Sequence, residues 1–529
     1  MRAWMRRIVN VLGMLNRGEG TYAVFLLCAT IAIALPAQTF TALFSFDGKD
    51  GSKPVAGLVQ AANGDFYGTT AYGGAASGGT VFKITPSGAL TKLHSVCAQP
   101  NCPGGSFPTG LVQAANGDFY GTTVYGGTNG YGGGTVFKMT PDGKLTTLYS
   151  FCSEGVFPDC TDGEDPNGLV QATNGDFYGT TSSGGAYGGG AECYAARCGT
   201  IFKITPSGTL TTLYSFCSQG GSLCTDGESP QAALVQATNG DLYGTTNWGG
   251  ANGYGTVFKI TTRGTLTTLY SFCAQANCTD GAIPNGLVTA TNGDLYGTTA
   301  AGGASAVSCF ADASGCGTVF EITPAGTLTT LYSFCAQSGC ADGQDPIGAL
   351  VLATDGNFYG TTVGGGAYGG GFLCSDPGCG TVFKITPSGT LTTLYSFCSQ
   401  GGPLCTDGDD PNGGLIQATN GDFYGTTYGG GADCHHAGGC GTVFSLSVGL
   451  GPVAETLPTR GKVGAPATTQ RTNPTGSTSV TFNGTADAFI ARSTGSAIST
   501  TAPTSAATGP AQVVTPSGTL SSKLPFPLP

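Results

Sequence analysis

Acidic residues recur beside proline in this chain. Asp162-Gly163-Glu164-Asp165-Pro166, Asp342-Gly343-Gln344-Asp345-Pro346 and Asp407-Gly408-Asp409-Asp410-Pro411 are three copies of one acidic phrase. Asp162, Asp165, Asp342, Asp345, Asp407 and Asp410 offer hard oxygen atoms at a spacing that suits calcium, the one cofactor these residues suggest. The competing reading is turn chemistry, because Asp-Gly is an ordinary Asx-turn signal and Asp226 and Asp280 stand in copies with fewer acids. His435-His436, between Cys434 and Cys440, invites a metal, but the other loops of that kind lack histidine. Paired carboxylates also serve glycosidic-bond cleavage. Here, however, polar residues mostly recur copy by copy, and no SxDxGxxW box is present. No residue is singled out as catalytic.

A second set of residues could stack on sugar rings. Tyr72, Tyr125, Tyr187, Trp248, Phe310, Tyr368 and Tyr428 place one aromatic in each copy of a glycine-rich loop. Packing at the loop bases is the alternative.

Cysteine is the third signal. Of 21 cysteines, Cys28 stands alone and 20 form ten close pairs. Six pairs open one kind of gap: Cys97 with Cys102, Cys152 with Cys160, Cys217 with Cys224, Cys273 with Cys278, Cys335 with Cys340, and Cys398 with Cys405. Four close the other kind: Cys193 with Cys198, Cys309 with Cys316, Cys374 with Cys379, and Cys434 with Cys440. Pair members appear and vanish together, which predicts local disulfides worth roughly 2 kcal/mol each if unstrained. Zinc is the competing reading, and separations of five to eight residues with no second CxxC partner argue against it.

These residues must be positioned by a repeat. The phrase LVQAxNGDFYGTT begins at Leu58, Leu111, Leu169, Leu234, Leu287, Leu350 and Leu415, and each copy is followed after a gap by a version of GTVFKITPSGTLTTLYSF. Each unit reads as four short strands: GLVQA, DFYGTT, GTVFKIT and LTTLYSF. An Asn-Gly step such as Asn63-Gly64 predicts a type I′ turn between the first two, and Pro86-Ser87-Gly88 turns the third into the fourth. Seven such units predict an all-β, seven-bladed β-propeller. The seventh unit lacks a fourth strand, and an orphan copy, Thr39 to Phe46, stands before the first. That strand is expected to complete the last blade and close the ring. The turns inside both phrases keep one length, whereas the gap between phrases runs from 8 to 17 residues. All length variation and every cysteine pair should therefore decorate one face, where loops on a rigid scaffold bind ligands.

Arg2, Arg6, Arg7 and Arg17 precede or flank an apolar run, Tyr22 to Leu35, ending at Leu35-Pro36-Ala37. Residues 1–38 read as a signal peptide, and the run is too short for a comfortable membrane span. The net charge of −11 argues against nucleic acid, which needs a basic footprint. With charged residues at 10%, the composition suits a secreted β protein.

The paired phrases, NGDFYGTT and GTVFKITPSGTLTTLYSF, resemble the GloVer tandem repeat of bacterial exported proteins described as choice-of-anchor. The resemblance spans residues 39–448 and implies export and a surface or extracellular role. It brings no established activity. Residues 449–529 turn to Thr, Ser, Ala and Pro. GPVAETLPTRGKVGAP, SVTFNGTADAF and AQVVTPSGTLSSKLPF there resemble the IPT/TIG immunoglobulin-like domain, which implies a small β-sandwich; a Thr/Ser-rich tail is the alternative. Thr469, Arg471 and Pro474 sit awkwardly in ATTQRTNP, so either that segment lies at a sheet edge or the module is marginal. Together these features point to a non-catalytic binding or cell-surface interaction protein, with surface glycan or protein as partner. A polysaccharide hydrolase or lyase using the same mouth is the alternative, and a structural coat protein is a third reading.

Overall fold

The computed structural model describes residues 38–529 apart from 130–131, 157–158, 188–197, 220–222, 306, 308, 310–314, 369–377, 401–404, 433–438, 458–465, 472–476, 478, 488, 492–496, 502, 504–505, 508, 516–517 and 523–529. The leader, Phe310, Cys193, Cys374, Cys434 and His435-His436 lie outside the described residues. Among the described residues the chain is all-β, with only two three-residue helical turns.

Each repeat folds into a four-stranded antiparallel sheet in chain order, as in Val59–Gln60, Phe66–Thr70, Thr80–Ile84 and Leu90–Ser95. In the seventh sheet the fourth place is taken by Thr39–Ser45, paired with Thr442–Ser447 so that Thr39 faces Ser447. The first strand departs from expectation. It is two residues long in repeats one, four, six and seven, and eight residues long in Ser106–Gln113, Glu164–Gln171 and Ala282–Thr289. Each long version carries an irregularity just after its proline, as between Pro108 and Leu111; proline brings no N–H to the ladder there.

The turn after the first strand also differs from the expected type I′. Ala61 N–H donates to Asp65 O at 2.9 Å, Gly64 N–H donates to Ala61 O at 2.8 Å, and of these residues only Gly64 has positive φ, 87°. A three-residue loop ending in a glycine bulge results, because Asn63 Oδ1 accepts the Asp65 N–H at 3.1 Å and needs no left-handed backbone to do so.

Aromatic rings join sheet to sheet. Tyr67 stacks on Phe119 at 4.2 Å, Tyr120 on Phe177 at 4.1 Å, Tyr296 on Phe358 at 4.1 Å, Tyr359 on Phe423 at 4.1 Å, and Phe66 on Tyr424 at 4.1 Å, which packs the seventh sheet against the first. At the remaining two junctions Leu242 and Leu295 replace phenylalanine against Tyr178 and Tyr243. A second layer joins Phe46 to Phe82 at 5.2 Å and Phe397 to Phe444 at 5.3 Å, edge to face.

Residues after 450 form two further four-stranded sheets. Ala454–Leu457, Pro466–Arg471, Ala497–Thr501 and Phe489–Ala491 make one; Thr485–Asp487, Ser479–Phe482, Ala511–Thr515 and Gly518–Ser521 make the other. Ala454, Val480, Phe482, Ile498, Ala511 and Val513 are buried together. The awkward segment is not an edge: Pro466–Arg471 is paired on both sides, with Pro466 at its first position, and Pro474 lies outside the described residues.

Candidate functional site

Every loop that enters a repeat passes through one unusual backbone position. Lys53, Phe107, Asp165, Ser229, Ile283, Asp345 and Asp410 each precede a proline and have φ of 56, 58, 55, 53, 58, 56 and 51°. Left-handed backbone is costly for a side-chain-bearing residue and most of all for β-branched Ile283. Hydrogen bonds to the preceding repeat hold it. The N–H of Lys53 donates to Cys440 O at 2.8 Å, Ser229 to Cys198 O at 3.0 Å, Asp345 to Cys316 O at 3.0 Å and Asp410 to Cys379 O at 3.0 Å. Phe107 and Ile283 use Gly78 O and Tyr254 O in repeats that lack the cysteine. The cystine loops therefore fix the presentation of the next repeat's variable residue. No glycine or asparagine marks this position, so turn chemistry could not have found it; its changing residue type inside a constant repeat is the available signal.

The six acidic candidates fall into two environments. Asp162, Asp342 and Asp407 are buried and clamp their loops, as do Asp226 and Asp280. Asp280 Oδ2 accepts Tyr270 Oη at 2.8 Å and Ala274 N–H at 2.9 Å, and Oδ1 accepts Gln275 N–H at 3.2 Å. Tyr149, Tyr214, Tyr332 and Tyr395 donate in the same way to Asp162, Asp226, Asp342 and Asp407, at 2.7 to 2.8 Å. Burial, reinforced by the aspartate, pushes the Tyr214 hydroxyl up to about 12. Asp165, Asp345 and Asp410 instead occupy the left-handed position. Among the described residues, the groups of three or more ligand atoms that converge are all cysteines.

Two loops have no clamp. In the first repeat Phe44 stands where the tyrosine would be, and Asp50 bonds to Asp47 N–H at 3.0 Å instead. In the second, His94 replaces the tyrosine and Gly104 the aspartate. Beside these two loops lies a groove of about 500 Å³, lined by Val55, Ala71, Tyr72, Phe107, Pro108, Thr109, Val124, Tyr125 and Tyr428. Phe107 sits edge-on between Tyr72 at 4.5 Å and Tyr125 at 5.3 Å. Lys53 Nζ lies 4.6 Å from the Tyr428 ring centre and 5.8 Å from that of Tyr72, within reach of a cation–π contact. Tyr72 and Tyr125 remain 38% and 43% exposed.

The loop aromatics do not occupy one repeated position. Tyr72, Tyr125 and Trp248 precede a Gly-Gly pair, with Tyr72 and Trp248 bridged to Ser52 and Glu228; Tyr428 stands one residue earlier; Tyr187 and Tyr368 follow such a pair by two and are exposed. The fold gathers Tyr72, Tyr125 and Tyr428 in the groove. Phe107 was missed because it belongs to the other loop. Trp248 lines a second cavity, of about 860 Å³, to which all seven repeats contribute, through Val55, Thr109, Asn167, Ala232, Asn285, Ile347 and Asn412. Small side chains, backbone and amides dominate that wall.

Burial raises several carboxyls near this face: Asp409 to about 8, Asp345 and Glu228 to about 7, Asp410 and Asp50 to about 6. For Asp409 the neighbouring Asp410 and Asp407 add to the effect of burial, while Lys53 opposes it. Among the described residues, oxygens of Asp409, Asp410, Asp345, Glu228 and Asn412, and Oδ1 of the clamp residues Asp226 and Asp407, are buried without a hydrogen-bond partner.

The Gloeobacter/Verrucomicrobia repeat is matched over residues 29–190, 155–374 and 307–495. The chain belongs to this repeat family. No curated protein matches it. Among solved structures, a fungal alcohol oxidase of the AA5 family in complex with copper is 12% identical, with 92% of this chain and 98% of that chain covered and a TM-score of 0.48. An α-L-arabinofuranosidase from Fusarium graminearum in complex with an iminosugar inhibitor is 12% identical over 64% and 92%, with a TM-score of 0.37. These likenesses transfer no activity. Within the Gloeobacter/Verrucomicrobia repeat of this chain, the clamp aspartate and left-handed residue form the framework, and the groove is built where the clamp is missing.

Proposed function

We propose that this chain is an exported, non-catalytic carbohydrate-binding protein. In this reading the seven repeat sheets are blades of a closed seven-bladed β-propeller, residues 449–529 are an IPT/TIG-like Ig module, and ligand sits on the cystine-loop face. The carrying observation is the groove in which Tyr72, Phe107, Tyr125 and Tyr428 present ring surface beside Lys53. Aromatic rings, with only two side-chain torsions each, lose little freedom when a sugar stacks on them. Asp162 and Asp342 already spend both oxygens on tyrosine and backbone donors, so binding is expected without calcium. The test is a glycan and polysaccharide array with and without calcium. Phe107→Ala/Tyr125→Ala should lose roughly 30-fold in affinity, about 2 kcal/mol for two rings, with little change in melting temperature. Unchanged binding by a folded variant would remove the groove from the reading.

The neighbouring Asp409 and Asp410 support a second reading, a polysaccharide hydrolase at the same mouth. Their raised titration suits a proton donor beside a base. Asp409 is only 2% exposed, however, which keeps it from a polymer's glycosidic oxygen and places binding first. Shortened products from a native polysaccharide, abolished by Asp410→Asn, would reverse that order.

A further inference from the structure

The larger cavity adjoins the aromatic groove, and Val55 and Thr109 line both. Its wall is stitched from repeat to repeat. A second-strand threonine donates its hydroxyl to a wall carbonyl of the next repeat: Thr122 to Asn167 O at 2.9 Å, Thr180 to Ala232 O at 3.2 Å and Thr245 to Asn285 O at 3.0 Å. Thr426 of the last repeat donates to Ala56 O of the first at 3.2 Å. Glycine permits the close approach of neighbouring repeats here, since a Cβ on Gly57 would sit 2.8 Å from Gly414 O and one on Gly286 would sit 2.9 Å from Ala349 Cβ. A cavity walled by all seven repeats, with the last bonded to the first, is entered along its axis.

The lining selects a class of ligand. The residue after the loop proline supplies Thr109, Asn167, Gln231, Asn285 and Asn412, and none of the described lining residues is charged. Such a wall offers an ion no counter-charge. Amides and a hydroxyl both donate and accept, as the hydroxyls of a neutral sugar require. Two of these amides are held in place: Asn167 Nδ2 donates to Pro230 O at 2.8 Å and Asn285 Nδ2 to Pro346 O at 3.0 Å. Trp248 adds an indole on which a sugar ring can stack. The volume of about 860 Å³ falls in the range of small-molecule sites. We propose that this cavity receives the terminal residue of a neutral glycan chain while the residues behind it lie in the aromatic groove, so that the protein recognises chain ends. A polymer reaches an axially entered cavity with its end, whereas its interior reaches only the open groove. The inference rests on the carbohydrate reading of that groove and adds to it the part of the chain that is read.

The test immobilises amylose, xylan, galactan and β-glucan, each intact and partially acid-hydrolysed, at equal mass, and binds the full chain to saturation. On a glycan that is bound, the amount captured should rise in proportion to the number of chain ends. Capture that follows mass alone overturns the proposal and leaves the groove reading standing; capture by none of these glycans overturns both. Occupancy of the cavity has its own reporter, because a chain carrying Trp4→Phe keeps Trp248 as its single indole. Its emission should shift to saturation with the soluble hydrolysate, and an unmoved emission during binding overturns the proposal. Ala233 and Ala349 are exposed on the wall, so Ala233→Leu/Ala349→Leu places leucine in the cavity. That variant should bind the hydrolysate roughly tenfold more weakly; unchanged affinity in a folded variant again overturns the proposal alone. Phe107→Ala/Tyr125→Ala should keep the Trp248 shift at lower affinity. A shift kept at full affinity would overturn the groove reading, with the cavity binding by itself.

Discussion

Five of the seven entering loops are held by a buried tyrosine–aspartate clamp, and two are not. The clamped five carry Asp165, Ser229, Ile283, Asp345 and Asp410 at the left-handed position; the unclamped two carry Phe107, which lines the groove, and Lys53, whose Nζ lies near the Tyr72 and Tyr428 rings that line it. Tyrosine and aspartate are lost together in the second repeat, where His94 and Gly104 stand. In the first repeat only the tyrosine is lost, to Phe44, and the retained Asp50 accepts the Asp47 N–H instead. The difference teaches that the repeat has one structural solution for its loop and departs from it beside the aromatic groove.

The sharpest way to break this comparison is to remove a clamp. Asp280→Ala strands the Tyr270 hydroxyl and two backbone N–H groups and should cost about 2–4 kcal/mol in chemical denaturation. Asp50→Ala in the unclamped first loop should cost less than about 1 kcal/mol. Equal losses would dissolve the distinction. The converse experiment installs a clamp. An added Cβ at Gly104 meets no atom within 4 Å, so His94→Tyr/Gly104→Asp has room to form the missing pair. A double-mutant cycle should give a favourable coupling of about 1–2 kcal/mol. If the groove depends on loop freedom, that variant should also bind glycan more weakly; unchanged binding would show that the clamp and the groove are neighbours without being linked.

Much of this framework is legible in the sequence and some is not, for definite reasons. Strand order, the sheet completed by Thr39–Ser45 and the local cystines follow from repeated phrases and paired cysteines. The clamp was half visible: the recurring aspartate stood out, but its tyrosine lies 10 to 13 residues earlier on another element, and only folding shows them in contact. The left-handed ring is invisible to residue propensity, because isoleucine and phenylalanine do not advertise positive φ. The aromatic set shares a loop but not a position within it, since Tyr187 and Tyr368 follow a glycine pair and Tyr72 and Tyr125 precede one.

A pH-dependent effect lies at the border of the two regions, where Asp409 of a clamped loop approaches Lys53 of an unclamped one. In the unfolded chain this carboxyl titrates near 3.8, whereas in the fold burial carries it to about 8. Between those values the native state keeps a proton that the unfolded state has released, so stability is full below the lower value and falls as pH rises toward the upper one. Asp409→Asn removes that slope while preserving the buried shape. Melting curves of variant and parent should nearly coincide at pH 4 and separate progressively up to pH 8, with the variant the more stable at the upper end. Parallel curves across the interval would mean that Asp409 is ionised and paired with Lys53, which would make the border an ion pair and move Lys53 off the tyrosine faces of the groove.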